Sequence, residues 1–170
     1  AAALALRDAC AAITGSSTGL SLKWPNDVLL NGGKLAGILL ESTARGSHIP
    51  LLAIGIGVNL IAAPTPEQVE PGAAPPVSLL SETGKRVNPE AFLTALARAY
   101  DHWETLFVTE GFAPLRAEWL SHAARLGEII IARTGTEAHQ GVFEGINEEG
   151  ALILKTPQAR RAIPAAEVFF

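Results

Sequence analysis

The sequence predicts an α+β protein: a mixed or antiparallel sheet with packed helices, plus a small C-terminal barrel. Three observations carry that expectation. Helical spacing is confined to an Ala-rich opening and to two segments between residues 89 and 124. Strand-like runs joined by short turns fill Leu20–Leu60, the pattern of an antiparallel meander. From Leu126 onward, short strands at close spacing read as a small barrel or curled sheet.

Residues 1–14 form the first predicted helix, broken by Arg7 and Asp8 and stopped by Gly15-Ser16-Ser17-Thr18-Gly19. Strands follow at Leu20–Trp24 and Val28–Leu30, with Pro25-Asn26 as the turn between them. Asn31-Gly32-Gly33 is strong hairpin punctuation, because Asn and Gly accept the positive φ of tight turns. Lys34–Ser42 and Leu51–Leu60 are longer strands, separated by Thr43–Pro50. Their apolar runs imply a sheet covered on at least one face. Ala62–Pro76 holds five of the 11 prolines and reads as a surface loop. Asn88 is a good N-cap ahead of Pro89 in a first helical turn, and the apolar stripe runs from Phe92 to Phe107. Phe112–Ala124 is a further helix. Ile129–Ala132, Gly141–Ile146, Ala151–Lys155 and Ala162–Pro164 are the short strands of the barrel. The boundary falls between 1–124 and 125–170.

Composition excludes several classes. A net charge of −4 over 170 residues argues against a nucleic-acid surface, which needs clustered Lys and Arg. The lone cysteine, Cys10, builds no disulfide framework and fits a reducing, cytoplasmic setting as a small buried apolar residue. No apolar run reaches the roughly 18–20 residues that span a bilayer. His48, His102, His122 and His139 are scattered and offer no metal-ligand spacing. There is no methionine, and the chain opens abruptly on Ala1, which reads as a fragment of a longer protein.

Chemistry gathers in three blocks. Lys23-Trp24-Pro25-Asn26-Asp27 comes first, then Lys34-Leu35-Ala36-Gly37-Ile38-Leu39, then Gly55-Ile56-Gly57-Val58-Asn59. Alternation puts Gly55, Gly57 and Asn59 on one side, where glycines let a ligand approach the backbone and Asn59 offers a donor and an acceptor. Lys34 leaves the hairpin as a mobile cation at the sheet's edge. Asp27 lies across that hairpin, so both reach one site. Taken singly, Pro-Asn-Asp is an ordinary turn, strand glycines are bulges, and a lysine after Gly-Gly is solvated. Together they surround one sheet with a cation, a carboxylate, an amide and glycines.

In order and spacing, these blocks closely resemble the biotin–protein ligases, also called biotin–[acetyl-CoA-carboxylase] ligases. The resemblance implies a core like that of class II aminoacyl-tRNA synthetases and an SH3-like C-terminal barrel. It implies ATP-dependent activation of biotin to biotinyl-5′-AMP, then transfer to a lysine on the biotin carboxyl carrier domain of a biotin-dependent carboxylase. Lys34 resembles the active-site lysine that contacts the biotin carboxylate and the α-phosphate, and Asp27 the carboxylate that positions the reacting groups. Asn26 and Asn59 fall at nucleotide positions. Gly37, Ile38, Leu39, Gly55 and Gly57 fall where the family lines its biotin pocket. Trp24 and Pro25 shape the turn. Magnesium would accompany the nucleotide phosphates. A lysine cation suits this chemistry, since a carboxylate attacking a phosphate brings two anions together.

The family also carries a glycine- and arginine-rich loop upstream of these blocks, and no such run occurs here. The chain is therefore expected to bind biotin weakly and to turn over poorly or not at all. Two other readings stand beside this one: a lipoate- or octanoate-transferring relative, and a non-catalytic biotin-binding module that forms a homodimer through an exposed strand edge.

Overall fold

A computed structural model describes residues 1–45, 48–135 and 137–170. Helix α1 (Ala2–Thr14) has no side-chain N-cap and ends at Gly15 in the left-handed conformation, φ 72°. Its small residues Ala5, Ala9 and Cys10 are buried beside Leu4 and Leu6, which lets the helix lie close to its neighbours.

A four-stranded antiparallel meander follows, in spatial order β1 (Leu20–Lys23), β2 (Asp27–Leu30), β3 (Gly33–Arg45) and β4 (His48–Val58). Asn31 and Gly32 both take positive φ (51° and 82°), the two-residue turn that the local sequence predicts between β2 and β3. The Trp24–Pro25 peptide bond in the β1–β2 turn is cis. Strands β3 and β4 run further than the sequence suggests. The connection expected over Thr43–Pro50 is largely absorbed into them, and Gly46 and Ser47 lie outside the described residues. Lys34 also differs from expectation: β3 lies between β2 and β4, so the lysine is within the sheet, with its side chain 43 % exposed.

One face of the sheet is sealed. Val28, Ala36 and Ile38 are buried with Leu4, Leu6, Leu22, Leu79, Phe92 and Trp119. Each fully buried leucine contributes about 1.5–3 kcal/mol over its exposed state. Helix α3 (Pro89–Glu110) starts where Asn88 Oδ1 accepts hydrogen bonds from the Glu90 and Ala91 amides. Its Trp103 indole donates to Asp8 of α1 at 2.8 Å, and α4 (Phe112–Ser121) buries Leu115 and Trp119. The short helix α2 (Leu79–Thr83), with Ser78 as its N-cap, lies between the proline-rich loop and Asn88. Among the described residues no helix is long and apolar enough to cross a membrane.

The second sheet is a five-stranded antiparallel curl of SH3-like kind. Its spatial order is β8 (Arg160–Ile163), β7 (Leu152–Lys155), β6 (Glu137–Ile146), β5 (Ile129–Thr134) and β9 (Glu167–Phe169). The sequence reading lacks β9, a three-residue strand too short for a periodic signal. Two side chains tie this sheet to the first half: the Trp24 indole donates to Gly150 O at 3.0 Å, and Arg116 Nε to Ile146 O at 2.6 Å. The outer edge of β1 is closed by Leu22–His122 and Ala124–Leu22 backbone hydrogen bonds.

Candidate active site

The β1–β2 turn brings Lys23 opposite Asp27, and the β2–β3 pairing brings Asp27 opposite Gly37. The register slips by one residue between Val28 and Leu29, and the slip swings Lys34 onto the Asp27 face. Asp27 is consequently buried between two ammoniums, with Oδ1 2.7 Å from Lys34 Nζ and Oδ2 3.6 Å from Lys23 Nζ. The Lys34 approach lies off the hydrogen-bonding direction, so Oδ1 has ionic contact without an aligned donor. Lys23 is 8 % exposed. Burial pushes its ammonium below the ordinary lysine value; Asp27 opposes that shift and the like charge of Lys34 reinforces it. The cluster carries one net positive charge.

Beyond this cluster the same face is almost bare. Gly37 pairs with Gly57 and Leu39 with Gly55, and paired residues share a face. A Cβ on Gly57 would meet nothing within 4 Å, and one on Gly55 only Leu39. A Cβ on Gly37 would sit 3.5 Å from both Asp27 Oδ1 and Lys34 Cε. Leu39 is 62 % exposed. The result is a floor of backbone with a cation at one end, a shape that suits a small, flat, partly apolar carboxylate.

Three of the predicted site residues behave differently from the rest. Ile38 points to the opposite face, into the core. Its amide donates to Asn26 O at 3.0 Å and its carbonyl accepts from Asn26 Nδ2 at 2.6 Å, so neither backbone group is left for a ligand. Asn26 thereby commits one of its two Nδ2 hydrogens to the turn, and no partner for its Oδ1 occurs among the described residues. Asn59 follows the end of β4 and turns its Nδ2 to Val77 O at 3.0 Å and, weakly, to Lys34 O at 3.4 Å. Alternation beyond Gly57 had placed it over the floor; it instead braces the backbone of Lys34, again with Oδ1 free.

Next to the lysines lies a cleft of about 580 Å³, lined by Lys23, Asp27, Lys34, Ala74, Arg133 and Phe169 among others. Sequence reasoning missed Lys23 as a buried charge and Arg133 altogether. The signal for Lys23 was its place four residues before Asp27 in an apolar strand; Arg133 had none. A larger depression, about 760 Å³, lies beside Lys155 and Arg160 and shares no residue with this cleft. No group of three metal-ligating side chains occurs among the described residues.

Comparison with known proteins agrees with this layout. Residues 1–121 match the model of the biotin/lipoate A/B protein ligase family, and residues 126–170 that of the biotin protein ligase C-terminal domain. The chain belongs to the biotin/lipoate protein ligase family. It is 59 % identical to the biotin–[acetyl-CoA-carboxylase] ligase of Paracoccus denitrificans, over 99 % of this chain and 70 % of that protein. It is 31 % identical to the bifunctional ligase/repressor of Bacillus subtilis, over 86 % of this chain and 45 % of that one. Among solved structures, the Aquifex aeolicus biotin protein ligase in complex with biotin and ATP superposes with a TM-score of 0.79 at 25 % identity, covering 98 % of this chain and 67 % of that chain. A second crystal structure of the Aquifex ligase gives 0.82 at 24 % identity, covering 98 % and 71 %, a likeness of fold. The family's α+β core and SH3-like end are thus both present.

Proposed function

We propose that this chain bears the lysine cluster of a biotin ligase site, which activates biotin with ATP to biotinyl-5′-AMP and passes biotin to a carrier lysine. The observation that carries the reading is the Lys23–Asp27–Lys34 cluster at the end of a glycine floor. Gly37, Gly55, Gly57 and Leu39 would take the ring system of biotin and direct its carboxylate to Lys34. There the ammonium offsets repulsion between the biotin carboxylate and the α-phosphate as the new C–O–P linkage forms and pyrophosphate leaves. Asp27 holds Lys34 in place until the anions arrive, and it keeps the buried Lys23 charged. Asn26 and Asn59 each keep one free side-chain oxygen, able to accept from the adenine amino group.

Magnesium does not fit as a resident ion. The cluster's one carboxylate is already shared by two ammoniums, Glu167 of the same cleft is paired with Arg133, and no group of three metal-ligating side chains occurs among the described residues. Any magnesium required would arrive on the nucleotide. The carrier domain of a biotin-dependent carboxylase is the acceptor in this reading, and a reducing cytoplasm the setting. We place the division of labour at residues 1–124 for activation and 125–170 for the SH3-like part. The match of 126–170 to a domain of biotin ligases favours biotin over lipoate.

Lys34→Gln in the whole protein is the test. Adenylate formation, followed as pyrophosphate release, should fall by about 2–4 kcal/mol of transition-state stabilisation, the order of one lost electrostatic contact. Unchanged release by a folded variant would remove Lys34 from the mechanism. Sedimentation of the same material shows whether copies pair along the open edge of β4.

A further inference from the structure

We propose that Arg133, on the C-terminal sheet, is a positioning residue for Lys34, acting through the proline-rich segment 70–77. The segment has two grips. At one end, Lys34 donates its amide to Pro75 O at 2.8 Å and accepts from the Val77 amide at 3.0 Å, so the segment runs beside Lys34 as a short parallel bridge. Gly33 permits that closeness: a Cβ there would lie 2.3 Å from Val77 Cγ1 and 3.0 Å from Pro75 O. At the other end, Glu70 accepts an ion-paired hydrogen bond from the Arg133 guanidinium.

Arg133 is itself held from two further sides. Its guanidinium stacks 4.4 Å from the Phe169 ring centre and reaches Glu167 at 3.3 Å. Phe169 also faces Gly72, whose hypothetical Cβ would sit 3.6 Å from the ring. Between the grips Pro71 fixes φ at the first residue, and Pro75 and Pro76 fix it at the far grip itself, which limits the freedom of the connection at both ends. The Glu70–Ala73 turn shortens it further, with the Ala73 amide donating to Glu70 O. A displacement of Glu70 is therefore passed toward Pro75 through that turn and through Gly72, which lies against the Phe169 ring. Each ion pair is half exposed and weak alone. The stacking, the two carboxylates and the proline-rich segment act on one guanidinium, and that combination gives the C-terminal sheet a hold on the backbone of Lys34.

Where Lys34 is the lysine of biotin activation, as proposed above, the hold ties the SH3-like part to the chemistry through the backbone of Lys34. Hydrogen exchange tests it independently of that reading. In Arg133→Ala, exchange at the Lys34 and Val77 amides should quicken roughly three- to fivefold, the scale of a surface ion-pair network. The Leu22 and Ile38 amides, bonded to His122 O and Asn26 O, should not change. Glu70→Gln should quicken the same two amides, and the double variant should exceed Arg133→Ala by little, since both act through one link. Unaltered Lys34 and Val77 amides, equal acceleration at all four, or fully additive effects would each overturn the proposal. Kinetics of adenylate formation supply the second arm: kcat should fall about threefold in Arg133→Ala, in step with the exchange. Exchange that responds in a protein making no adenylate would retain the mechanical link and refute the assigned reaction instead.

Discussion

Replacing Asp27 by Asn removes the charge that lies between two lysines while nearly preserving shape. The consequences divide according to burial. Lys34 is 43 % exposed, so water screens its loss and about 1 kcal/mol or less is at stake there. Lys23, at 8 % exposure, has no such relief. Removing one partner of a buried pair costs about 3–5 kcal/mol when the remaining charge must stay. Lys23 has an escape, because burial already draws its pKa down and it can release its proton, at about 1.36 kcal/mol per pH unit between that pKa and the solution. We therefore expect Asp27→Asn to lose about 2–4 kcal/mol near neutral pH.

The pH dependence identifies the cause. In the variant the folded-state pKa of Lys23 falls further below the unfolded value of 10.5. Between those two values the unfolded chain binds more protons, so stability rises with pH. The same rise in the wild type begins later, because Asp27 holds the Lys23 pKa up. The stability gap must then narrow as pH rises. Urea unfolding followed by the fluorescence of the buried Trp24, Trp103 and Trp119, at about pH 7 and about pH 9.5, measures both quantities. A difference below about 0.5 kcal/mol, or a gap of equal size at both pH values, would refute the reasoning.

Gly57→Val should leave the melting temperature within a few degrees of wild type, since the new side chain meets no atom within 4 Å at its Cβ. It should nevertheless weaken biotin binding by calorimetry by roughly tenfold or more, because it fills the space above the floor; unaltered affinity would place the ligand elsewhere. Cys10 is fully buried, and burial pushes its thiol from 9.0 up to about 12. Aromatic disulfide reagents should label it only at the rate of unfolding. Between 9.0 and about 12 the unfolded chain loses that proton first, so this residue lowers stability as pH rises, and Cys10→Ala should flatten the alkaline limb. Labelling of the native protein within seconds would contradict the burial.

How far the sequence reveals this molecule depends on the range of each interaction. The Asn31-Gly32 turn and the Asn88 cap are legible because the deciding contacts lie within three residues. The meander is legible for the same reason, as each strand pairs with the next. The Asp27–Lys34 pair follows from that hairpin, but the slip that aims Lys34 at Asp27 does not. Alternation counted from Gly33 without a bulge puts Lys34 and Gly37 on opposite faces, and the slip puts them together. Ile38 shows the converse: simple alternation already places it away from Gly37 and Leu39, and a contiguous motif hides that. Asn59 follows the last residue of β4, and its amide finds partners on residues 34 and 77 that no local pattern joins to it. Arg133 meets Glu70 across 63 positions, and the attachment of the second sheet to the first half of the chain brings them together.

The most direct measurement is a crystal structure of the whole protein with a non-hydrolysable biotinyl-adenylate analogue. The account predicts the biotin rings over Gly55 and Gly57, in van der Waals contact with Leu39. It also predicts Lys34 Nζ within about 3.2 Å of a phosphoryl or biotin carbonyl oxygen, the span of a charge-assisted hydrogen bond. An analogue seated away from the glycine floor, or a Lys34 that stays on Asp27 and touches no atom of the ligand, would contradict it.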